Sequence, residues 1–126
     1  MHQVTEFHKE EPIWLDPDRI IVLYAELGQA GAERVISAAM EDLAVQLVAL
    51  EAAVLEQRPA DVAKAVQALD PLARQVGMVL LARVAADLLD CTERGDTVAQ
   101  AAVLARLIRL GDRCLTAVWD MADMRG

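Results

Sequence analysis

The chain has 126 residues, a formal net charge of -8, and a composition that is 56% hydrophobic but only 3% aromatic. That length suits one domain with a substantial core. The acidic balance, with a sequence pI of about 4.6, argues against a nucleic-acid partner, because phosphate backbones are repelled. No apolar run reaches the roughly 20 residues of a membrane span. The first residues lack the basic start and apolar centre of a signal peptide, so a cytoplasmic location is expected.

Alanine, leucine and valine dominate, which favours closely packed helices over a sheet. Residues 1–12 are polar, mixed in charge and end in Glu11-Pro12. They are expected to form a flexible tail, with residues 13–126 as the domain. His2 and His8 in that tail, near Glu6, Glu10 and Glu11, fit no zinc-ligand spacing. Asp16-Pro17 predicts the start of a first, short helix at 17–27, with Asp16 as N-cap and Pro17 at N1. Its apolar residues are Ile20, Ile21, Leu23, Tyr24 and Leu27, and Trp14 and Leu15 are expected to pack back on it.

Residues 28–31 read as a turn. A long helix follows at 32–57, with Ile36, Met40, Leu43, Leu47, Leu50 and Val54 on one four-three seam. Val45 and Val48 are expected to widen that seam towards a second neighbour. Pro59 suits the start of a third helix at 60–76, whose seam is Val62, Val66, Leu69, Ala73 and Val76. A fourth helix at 78–94 carries Leu80, Leu81, Val84, Ala85, Leu88 and Cys91. Gly95 and Asp96 form a stop-start signal, so the Arg-Gly-Asp tripeptide at 94–96 is turn chemistry. The fifth helix, 97–122, has one seam of Ala101, Leu104, Ile108, Gly111, Leu115, Val118 and Ala122. Leu107, Leu110, Cys114 and Met121 make a second stripe beside it. Cys91 and Cys114 lie within apolar patterns and read as buried free thiols. The predicted fold is therefore all-α: an antiparallel four-helix bundle with the short first helix capping one end.

The segment 66–77, Val-Gln-Ala-Leu-Asp-Pro-Leu-Ala-Arg-Gln-Val-Gly, resembles the active-site helix of the histidine-containing phosphotransfer (HPt) family. That family writes the region as Ala-His-x-Leu-Lys-Gly-x-Ala-x-x-hydrophobic-Gly, and its histidine relays a phosphoryl group between sensor kinases and receiver domains. Leu69, Ala73, Val76 and Gly77 match the framework. Gln67 stands at the histidine position, Asp70 at the lysine and Pro71 at the glycine. The resemblance extends from about residue 15 to 118. It includes the Leu27-Gly28 turn, the break at 57–61, the run Leu81-Ala82-Arg83-Val84-Ala85-Ala86-Asp87-Leu88, and Gly95-Asp96 before the last helix.

The resemblance implies a two-component signalling module, and the replaced residues imply a degenerate one. A glutamine amide has its nitrogen lone pair delocalised into the carbonyl and forms no stable phosphoramidate. No histidine follows residue 8. Asp70 repels a phosphoryl group or an acidic receiver pocket where the family's lysine attracts them. Pro71 removes an amide hydrogen from mid-helix, predicting a kink or a restart capped by Asp70. No Ser-His-Asp set, phosphate loop, metal spacing or cofactor motif is present, so neither an enzyme nor a cofactor is expected. The expected partner is a response-regulator receiver domain or a histidine kinase, docking on Lys64, Gln67, Ala68, Asp70, Pro71 and Arg74. The same four polar positions, Lys64, Gln67, Asp70 and Arg74, read equally well as a solvated ion-pair face. The alternative function is that of a structural helical-bundle protein acting through homodimerisation, by the second stripe of the last helix, or through binding of an unrelated partner.

Overall fold

The computed structural model describes residues 15–125, with side chains as far as 120. The expected tail at 1–12, its two histidines and Trp14 lie outside the described residues, as do the side chains of Met121 and Ala122. Four helices follow in order: α1 (Pro17–Leu55), α2 (Pro59–Gln75), α3 (Val79–Glu93) and α4 (Thr97–Arg125). Neighbours in the chain pack together, and α4 closes the ring against α1. This is the predicted all-α four-helix bundle. Among the described residues there is no strand; one isolated antiparallel bridge joins Leu15 to Met78.

The helix starts follow their local chemistry. The Asp16 carboxylate accepts from the Asp18 N–H at 3.1 Å, and Pro17 occupies the first turn of α1, where a missing N–H costs nothing. Pro59 begins α2 in the same way. The Asp96 carboxylate accepts from the Ala99 N–H at 3.0 Å and caps α4. Gly95, at φ 69°, ends the preceding turn.

The first junction differs from expectation. Only Gly28 leaves helical geometry, at φ 73° and ψ 174°, in place of a four-residue turn. Helix resumes at once, and the Gln29 side-chain amide donates to Glu33 at 3.2 Å across the resumed first turn. The short first helix is thus the leading arm of α1, set off by one residue. Ile20 and Leu23 are buried on that arm, while Ile21 and Leu27 are exposed.

The core is built from the predicted seams of α2 and α3. Val62, Val66, Leu69, Ala73 and Val76 are buried, as are Leu80, Leu81, Val84, Ala85, Leu88 and Cys91. Along α1, Ile36, Met40, Leu43, Leu47 and Leu50 are buried, but Val45 and Val48 point to solvent. Ala39 and Ala53 are buried on α1 as well, and Leu47 of the seam reaches α4 at Gly111.

On α4 the core draws on both apolar stripes. Leu107, Leu110 and Cys114 are buried with Leu104 and Val118, whereas Ala101 is exposed and Ile108 and Leu115 are only partly covered. A Cβ at Gly111 would meet Leu47 Cδ1 at 2.7 Å, so this glycine of the first stripe marks the close crossing of α4 on α1. Among the described residues of the second stripe, Leu107, Leu110 and Cys114 are taken up in the core. Both cysteines are free and buried. Burial pushes the Cys114 thiol up to about 11, since a thiolate there would lose its water.

Candidate functional site

All six candidate residues lie on α2, with three different outlooks. Gln67, Pro71 and Arg74 form an exposed ridge opposite the buried seam. Lys64 is exposed and Ala68 half-buried, and both border the groove between α2 and the long arm of α1. Asp70 follows Ala68 by two residues, about 200° round the helix, and so lies on the opposite flank.

There the Asp70 carboxylate accepts from Arg74 Nε with both oxygens at 3.1 Å. The pair is one turn apart and solvent-exposed, the kind worth roughly 0.5 kcal/mol. The pair fixes the direction of the guanidinium and offsets its charge. Lys64 makes no ion pair among the described residues. The ion-pair reading of this face therefore holds for its second half only.

Pro71 neither breaks α2 nor restarts it. The helix runs unbroken from Pro59 to Gln75, and Asp70 pairs with Arg74 where a cap had been expected. Pro71 still gives no N–H to the Gln67 carbonyl. A proline inside a helix costs about 3 kcal/mol, offset by about 1 kcal/mol from the stiffer unfolded chain. Pro71→Ala is therefore expected to stabilise the protein by about 2 kcal/mol, read as a higher urea midpoint with unchanged slope. An unchanged or lower midpoint would show that the proline is accommodated without cost.

The groove beside Lys64 encloses about 340 Å³. Ala49 and Ala52 of α1 and Ala65 and Ala68 of α2 floor it, and Gln46 stands on its rim. Four alanines facing across two helices keep the depression open. Arg58, at the groove's end, pairs with Glu56 at 2.9 Å and with Asp61. Gln46, Ala49 and Ala52 were not singled out from sequence. Their three-residue spacing beside the Leu43–Leu47–Leu50 seam is the signal that could have found them.

Among the described residues no cluster of His, Cys, Asp and Glu could hold a metal ion. No helix among them is long and apolar enough to cross a membrane. The arrangement is a low ridge with a shallow groove along it.

The fold is similar to that of the histidine-containing phosphotransfer protein B (HptB) of Pseudomonas aeruginosa PAO1. The TM-score is 0.78 at 17% identity, covering 91% of this chain and 98% of that one. At this identity the likeness is one of fold. No family model matches the chain, and no curated protein matches it.

Proposed function

We propose that this chain is a degenerate HPt-like signalling module. It binds a response-regulator receiver domain or a histidine kinase in a two-component phosphorelay and does not itself carry phosphate. The observation that carries this reading is Gln67, exposed on the α2 ridge of an HPt-type bundle, where the motif resemblance places the phosphoacceptor. An amide there can hydrogen-bond to a partner but cannot take its phosphoryl group. The module would act by occupying a partner's docking face, with no catalytic step of its own. A cytoplasmic setting, with 13–126 as the functional domain, belongs to the same reading.

The contact would centre on Gln67, Pro71 and Arg74, with Lys64 and Ala68 at the groove edge and Asp70 on the far flank. Flat Pro71 and small Ala68 leave room for a second domain. Lys64 suits an acidic receiver pocket directly, whereas Arg74 must be shared with Asp70. Lys64→Glu with Arg74→Glu is expected to weaken binding roughly tenfold or more at low salt, with the gap narrowing as salt rises. Asp70→Lys is expected to strengthen binding, because it removes a repulsive carboxylate and releases the Arg74 guanidinium. Calorimetric titration against the receivers and kinases encoded beside the gene tests both. Unchanged affinity in the double variant, with loss on a change in α4, would place the docking face elsewhere and leave the HPt likeness as one of fold.

A further inference from the structure

The outward face of α1 carries an apolar stripe that the bundle leaves uncovered. Val45, Val48 and Leu55 are 62%, 68% and 72% exposed. With half-buried Ala52 between them, where the stripe borders the groove beside Lys64, they follow three-four-three spacing and so share one face. Valine is a poor choice for a solvated helix surface, because its branched side chain loses rotamer freedom there without gaining burial.

The charge around the stripe is one-sided. Between Arg34 and Arg58 the chain has four carboxylates, Glu41, Asp42, Glu51 and Glu56, and no cation. Glu56 is paired with Arg58 at 2.9 Å. Glu41, Asp42 and Glu51 are exposed and make no ion pair among the described residues. Glu41 continues the stripe one turn before Val45, and Asp42 and Glu51 edge it on opposite sides.

We infer that the α1 face around Val45, Val48 and Leu55 is a second interaction surface, distinct from the α2 ridge, for an amphipathic helix of another protein whose apolar side is edged by lysine or arginine. Apolar contact along the stripe and ion pairs along both edges would then form together. A second copy fits poorly: antiparallel pairing about Val48 sets Glu41 opposite Leu55 and Glu51 opposite Val45 with no cation to meet, and parallel pairing sets each carboxylate against itself. Residues 1–14 of this chain fit no better, with Glu6, Glu10 and Glu11 against the single Lys9. An anionic membrane is repelled by the same edges.

The test uses the full, isotope-labelled chain and a synthetic helical peptide with leucines on one face edged by lysines. A matched peptide with glutamates for the lysines is the control. Amide shifts should concentrate at 41–56, and the control peptide should produce none. Val45→Gln with Val48→Gln, and separately Glu41→Lys with Glu51→Lys, should each weaken peptide binding about tenfold or more. Circular dichroism should show both variants folded, since the sites are exposed and the new residues are good helix formers.

Shifts centred on Lys64 and Gln67, on Ile21 and Val22 or on Trp119 would overturn the inference, as would their absence. Equal binding of the control peptide would do the same. A dimer in sedimentation that Val48→Gln abolishes would assign the stripe to a second copy and also overturn it. Receiver binding at the α2 ridge should survive the valine double variant, and peptide binding should survive Lys64→Glu with Arg74→Glu. Either surface can thus fail while the other stands.

Discussion

A phosphorylated receiver domain mixed with this protein is expected to transfer no phosphoryl group to it. Transfer needs a nucleophile with a free lone pair near pH 7, which a neutral imidazole nitrogen has and an amide nitrogen has not. The described residues contain no histidine, and the chain has only His2 and His8. Radiolabelled transfer followed by gel separation reads the result. Stoichiometric phosphohistidine at either tail position would overturn the prediction.

Gln67→His alone should restore little. The imidazole would stand on an exposed ridge, but with Asp70 one turn away repelling the incoming phosphoryl group and Pro71 beside it. Asp70 also pairs with Arg74, which leaves Lys64 as the cation one turn away to compensate. The triple change Gln67→His, Asp70→Lys, Pro71→Gly alters all three at once and is expected to gain measurable transfer. Failure of the folded triple variant to accept phosphate would mean that receiver docking, and not only chemistry, has been lost from this face.

The helices were legible because their cores repeat at four-three spacing and their ends carry Asp-Pro, Pro or Gly signals. Leu43, Leu69 and Leu88 are fully buried as the pattern requires. Where a helix had two apolar stripes, the pattern could not choose. On α4 both stripes contribute to the core, and Gly111 lets α1 approach at Leu47, a contact between residues far apart in sequence. Val45 and Val48 sit beside a genuine seam and differ from it only in where α2 and α4 happen to pack. The groove depends on alanines of two helices facing one another, and neither helix announces that alone. The charges at Lys64, Asp70 and Arg74 were visible, but the bidentate Asp70–Arg74 pair is a geometric fact that spacing merely permits.

Gly77→Ala is expected to destabilise the fold by about 3 kcal/mol or more, through two effects that act together. Gly77 sits at φ 79°, where a side chain costs roughly 1–2 kcal/mol. It is also pressed against the chain before α1: an added Cβ would lie 2.6 Å from the Asp16 carbonyl oxygen, and the obstruction is backbone, which cannot swing aside. Relieving the overlap means moving the start of α1 away. That move strains the Asp16 N–H bond to the Gly77 carbonyl at 2.8 Å and the Arg19 Nε bond to the Gln75 carbonyl at 3.0 Å. Each such bond is worth about 1 kcal/mol. Gly95→Ala is the control, since Gly95 has a similar φ of 69° but nothing within 4 Å of the added Cβ. It should lose only the conformational part, roughly 1–2 kcal/mol. At roughly 3–5 °C per kcal/mol for a domain of this size, Gly77→Ala should lower Tm by about 10 °C or more, and clearly further than Gly95→Ala does. Equal losses at the two sites would show that the α2–α3 turn does not depend on its contact with Asp16. The capping arm would then be attached through Ile20 and Leu23 alone.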